Sequence, residues 1–170
     1  IQEVKLVMRI LYIDIDKKYI NPTPNLFIHL LKNTFKEVVI YGPGFTSEEI
    51  LDRGILKYLE KVDNFDACII GYWIPILSTY DQNIIQHIKT KTLKSDSIKN
   101  FFIDIRSSIS KLPIPLKTLF FINTDYYAAR EEQVDFLLKN DLYVMCPGKE
   151  FVRSIHDLPN YAFQEEHFKR

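Results

Sequence analysis

The sequence predicts an α/β protein built on a mostly parallel sheet of about six strands, and three observations lead there. Short continuous apolar runs recur along the chain, amphipathic stretches of helical period separate them, and acids, glycines or aromatics stand where the runs end. Unbroken apolar runs mark strands buried on both faces, as parallel strands covered by helices are.

Each element has its own justification. Met8 to Ile15 (MRILYIDI) is the first strand, with Asp14 and Asp16 at its carboxyl end. Thr23 is a good N-cap and Pro24 a good first helical residue, so a helix is expected from about Pro24 to Phe35. Leu26, Phe27, Leu30, Leu31 and Phe35 give that helix its apolar face. Glu37 to Tyr41 is the second strand, and Gly42, Pro43 and Gly44 form a turn. Thr46 and Glu49 make a capping box for one helix running through Val62. Its stripe is Ile50, Leu51, Ile55, Leu56, Tyr58, Leu59 and Val62. Gly54 inside it costs about 1 kcal/mol against alanine, which close packing on the sheet would offset.

Asp66 to Tyr72 (DACIIGY) is the third strand, ended by Trp73, Ile74 and Pro75. Asp81 is expected to cap a helix carrying Ile84, Ile85 and Ile88, and Lys89 to Lys99 reads as exposed and polar. Asn100 to Ile105 (NFFIDI) reads as a fourth strand, and Arg106 to Pro115 as a connection. Thr118 to Ile122 is a fifth strand, followed by a helix to about Lys139. Leu142 to Cys146 is a sixth, and a short helix then runs through Ile155 before an irregular tail. Strands alternating with helices imply right-handed βαβ units, hence a Rossmann-like three-layer sandwich. The chain is expected to form a single domain over residues 1–170, with its core over about 8–155 and Ile1 to Val7 upstream of it.

Composition narrows the function. Lys plus Arg and Asp plus Glu are 22 each, so the net charge is zero, without the basic excess of a dedicated nucleic-acid binder. The two cysteines, Cys68 and Cys146, sit in apolar runs and read as buried reduced thiols. The histidines, His29, His87, His156 and His167, show no metal-ligand spacing, so no metal and no cofactor is expected. No run reaches the ~18–20 apolar residues of a membrane span, and the start lacks a signal peptide's basic region. A cytoplasmic protein without nucleic-acid or membrane partners is the expectation.

Ligands of open α/β sheets sit outside the carboxyl ends of the strands. That rule selects Asp14 and Asp16, Gly42 and Gly44, Tyr72 and Trp73, Asp104 and Arg106, and Asp125, Tyr126 and Tyr127, with Arg130 near the last group. Gly42-Pro-Gly44 either turns the chain or brings backbone N–H groups to an anion. It is not the dinucleotide fingerprint, because Ser47 stands where the third glycine would be. Tyr72 and Trp73 either close the core or stack on a sugar ring. Asp104 and Asp125 are candidates for a general base, if not merely solvated or capping groups. Asp14, Asp16 and DACIIGYWIP are also similar to a receiver domain, but Gly71 stands where its phosphorylated aspartate would be.

MRILYID, EVVIYGPGF, DACIIGYW and IPLKTLFFINTDYYAAREEQVDFLLKNDLYVMCPG together resemble the amino-terminal domain of GT-B glycosyltransferases, especially the CgeB-like group, over about Met8 to Gly148. The resemblance implies the acceptor-side half of an enzyme that moves a sugar from a nucleotide-sugar donor to a hydroxyl acceptor without a bound metal ion, with its catalytic base in this domain and Asp16, Asp104 and Asp125 as the candidates for it. Its partners would be a sugar or glycan acceptor and a carboxyl-terminal nucleotide-sugar-binding domain. The paired glutamates of that second domain do not occur here, so this chain alone is expected to be inactive. A second reading is a non-catalytic Rossmann-like or degenerate receiver-like interaction module, and a third is a nucleotide-binding enzyme of another Rossmann class, against which the missing glycine fingerprint counts. Donor, acceptor, stereochemical outcome and oligomeric state stay open at this level.

Overall fold

The computed structural model describes residues 4–16, 26–71, 95–120, 139–145 and 168–169. In chain order these form β1 (Leu6–Ile13), α1 (Leu26–Thr34), β2 (Phe35–Tyr41), α2 (Glu48–Arg53), α3 (Ile55–Leu59) and β3 (Ala67–Gly71). Then come α4 (Ser95–Ser108), a 3-10 turn (Ile109–Lys111), β4 (Leu116–Phe120), and two short segments, β5 (Tyr143–Met145) and β6 (Phe168–Lys169). The strands pair in the order β2-β1-β3-β4, all parallel, and β5 and β6 continue that order. The chain is thus an α/β protein with a parallel sheet. β1 starts at Leu6, earlier than expected, and β6 lies in the tail expected to be irregular.

Helices lie on both faces of this sheet. Alternation along a strand sends Ile10 and Tyr12 of β1, and Ala67 and Ile69 of β3, to one face. There they form a buried cluster with Leu31 of α1, flanked by Phe27 and Ile28. The opposite parity, Leu11, Ile13, Cys68 and Ile70, is buried as completely. On that second face the Tyr41 ring packs 4.9 Å from Tyr58 of α3 and 6.1 Å from Phe101 of α4. Cover on both faces is why β1 and β3 read as unbroken apolar runs.

Two expectations need correction. Residues 100–105 are not a strand but the middle of α4. Ile98, Phe101, Phe102, Ile105, Ser108 and Ile109 are buried, while Lys99, Asn100 and Ile103 are exposed. That is a three-and-four repeat, the helical period, and six residues were too short a window to separate it from an apolar strand. The single helix expected over 46–62 is two, α2 and α3, broken at Gly54 with φ 89°. Ser47, not Thr46, is its N-cap, accepting a 3.4 Å hydrogen bond from Ile50 N. Thr46 Oγ1 instead accepts from Gly42 N at 3.0 Å.

Arg9 fixes the amino end of the sheet. Its backbone N donates to Asp66 Oδ2 at 2.7 Å, and Asp66 N donates back to Arg9 O at 2.9 Å. The guanidinium lies 4.3 Å over the Phe65 ring and donates from Nη1 to Asp63 O at 2.9 Å. Its Nε is 3.2 Å from Glu37 Oε1, an ion-pair contact without hydrogen-bond alignment. Val7, Met8, Arg9, Lys36, Glu37 and Asp66 line a cavity of about 410 Å³ at this end.

Candidate functional site

The strand order places a topological switch between β1 and β3. The chain passes from β1 to β2 on one side, then crosses to β3 on the other. Open α/β sheets bind ligands outside the carboxyl ends of the strands at such a point. Asp14 stands there, at the end of β1, only 2% exposed.

Three elements shape the space around Asp14. Its backbone N donates to Tyr41 O at 3.1 Å, and Asp16 N donates to Pro43 O at 2.9 Å, so both acids are tied to the turn after β2. Tyr12 Oη, two residues back on the same face, donates to Asp14 Oδ2. Ile15 N donates to Asp14 Oδ1 at 2.7 Å. Both carboxylate oxygens therefore accept hydrogen bonds, which is what keeps a buried carboxylate tolerable.

The two flanking glycines make room for it. Gly42 has φ 151°, and a Cβ there would fall 1.7 Å from the Asp14 carbonyl oxygen. At Gly71 a Cβ would fall 2.4 to 2.7 Å from the Asp14 carboxyl atoms. Any side chain at either position would collide with Asp14, at its backbone in one case and its carboxylate in the other. Asp16, half-buried, lies at the rim two residues beyond.

The Gly42–Gly44 turn is closed on itself. Phe45 N and Thr46 N both donate to Gly42 O, at 3.0 and 2.9 Å. Gly42 N is taken by Thr46 Oγ1. The helix that follows, α2, is six residues long. In this arrangement Gly42 serves the turn and the clearance above Asp14 rather than presenting its N–H to an anion.

Asp104 and Arg106 are not strand-end residues, because both lie on α4. Asp104 Oδ2 accepts from Ile55 N at 2.9 Å, and its Oδ1 accepts from Ser108 Oγ at 3.2 Å. It thereby caps the first turn of α3 and pins the α2–α3 break to α4. Arg106 is in the last turn of α4, toward the chain that enters the amino end of β4. Of the selected residues the structure gathers Asp14, Asp16, Gly42 and Gly44. Tyr72, Trp73, Asp125, Tyr126, Tyr127 and Arg130 lie outside the described residues.

Tyr12 and Gly71 belong to this site and were missed as site residues. Their signals are in the sequence: Tyr12 and Asp14 are two apart on one strand, hence on one face. Glycine ending an otherwise apolar strand marks a close approach by another group. Beneath the second face, burial raises the Tyr41 hydroxyl well above its ordinary range, with the nearby Asp104 carboxylate adding to it. Burial also raises Tyr58. Cys68 is pushed up to about 12 by burial, which leaves it a protonated core thiol rather than a nucleophile.

Among the described residues, no group of three or more His, Cys, Asp or Glu is placed to hold a metal ion. No described helix is long and apolar enough to cross a membrane. Compared with known protein families, curated proteins and solved structures, the chain matches none of them.

Proposed function

We propose that the chain is the acceptor-side, amino-terminal domain of a cytoplasmic GT-B glycosyltransferase, of Rossmann-like build, and that it holds a hydroxylated acceptor outside the carboxyl ends of β1, β2 and β3. One observation supports this above the others: glycines at 42 and 71 keep clear the space that an oriented, buried Asp14 carboxylate occupies at the β1/β3 switch point. In this reading Asp14 forms the floor of the site. Asp16, half-buried two residues beyond Asp14 and with its backbone N tied to Pro43 O, is a candidate to accept the proton of an acceptor hydroxyl. Asp104 lies on α4 rather than at a strand end, which leaves Asp16 and Asp125 as candidate bases. A second domain would bring the nucleotide-sugar donor.

The test is the protein encoded by the full reading frame that contains this chain. It is expected to carry a second α/β segment with paired glutamates and to hydrolyse or transfer sugar from a nucleotide-sugar donor. Asp16→Asn should lower its turnover by about 10²–10⁴-fold while donor binding persists. A full-length protein with no second domain, or with one and no hydrolysis or transfer, overturns the proposal.

A second reading has its own support. The order β2-β1-β3-β4-β5 is that of flavodoxin-like sheets, whereas the dinucleotide-binding order places β3 beyond β2. Receiver domains share the flavodoxin-like order, which favours a non-catalytic, receiver-like interaction module. That module would bind neither glycosides nor nucleotide sugars at the strand ends, so one titration with each class separates the two readings.

A further inference from the structure

We draw no further inference here: the strongest candidate, the exposed apolar patch of Val4, just before β1, and Leu6 and Val7 at its start, beside the cavity at the amino end of the sheet, carries nothing because nothing in the structure shows what covers it.

Discussion

Replacing Gly71 with alanine tests the close fit around Asp14. The added methyl carbon would lie 2.4 Å from Asp14 Cγ, 2.5 Å from Oδ2 and 2.7 Å from Oδ1. Ordinary carbon contacts are about 3.5–4.0 Å, so the carboxylate must retreat by about 1 Å or more. Retreat strains or breaks its bonds to Tyr12 Oη and Ile15 N. Overpacking costs about 1–3 kcal/mol, and a disturbed hydrogen bond to a buried charge about 1.5–3 kcal/mol. Gly71 is not among the glycines with positive φ, so alanine meets no backbone penalty and gains about 0.4–1 kcal/mol through the unfolded chain. The net expectation is a loss of about 2–5 kcal/mol in urea unfolding. Asp14→Ala alone leaves Tyr12 Oη and Ile15 N without this acceptor, at about 1–3 kcal/mol for each group. In that background Gly71→Ala should cost less than about 1 kcal/mol, because the clash is gone. The double-mutant cycle should therefore show about 2–4 kcal/mol of coupling. Single costs that add within about 0.5 kcal/mol would show that residue 71 and the Asp14 carboxylate do not compete for the same space.

Further outcomes follow from the same geometry. Tyr41→Phe removes a buried hydroxyl that has no hydrogen-bond partner among the described residues, so stability should be unchanged or rise by about 1–2 kcal/mol; a loss above about 1 kcal/mol would reveal a partner. Asp104→Ala should cost about 1–2 kcal/mol and speed amide exchange at Ile55 more than in α1; unchanged exchange at Ile55 would contradict its capping role. Cys68 holds its proton to about 12 when folded, against 9.0 for the ordinary thiol, so its contribution is complete below pH 9 and is lost as pH rises toward 12. Urea unfolding between pH 9 and 10.5 should lose up to about 1.4 kcal/mol per pH unit from this group, and Cys68→Ala should be less steep over the same range. Identical slopes would show that Cys68 does not contribute.

The sheet was legible because β1, β2 and β3 are apolar on both faces and end in residues that stop strands. α4 was not, because its two adjacent phenylalanines and two nearby isoleucines fill six positions with an apolar majority. Only the longer spacing from Ile98 to Ile109 separates helix from strand. Gly54 was legible as an anomaly but not as a break. The break depends on Asp104, 49 residues away in sequence from the Ile55 N–H it accepts. The same is true of the site. The acids and the glycine turn could be located from strand ends alone, yet the reason for Gly71 lies in the Asp14 side chain of the neighbouring strand. Asp104 was misplaced because its role is tertiary: a carboxylate at a supposed strand end and one capping a distant helix look alike in one dimension.

Ligand is proposed to meet this protein at the carboxyl ends of β1, β2 and β3. The most direct measurement is an amide chemical-shift map of the ¹⁵N-labelled chain titrated with a neutral glycoside such as methyl glucoside or maltose, and separately with a uridine-diphosphate sugar. A ligand bound there should give glycoside-dependent shifts centred on Asp14, Ile15, Asp16, Gly42, Gly44 and Gly71, reduced in Asp16→Asn. Shifts confined to Val7, Met8, Arg9, Lys36, Glu37 and Asp66 at the opposite end of the sheet, or no shifts with glycosides at millimolar concentration, would rule out an acceptor site at the strand ends.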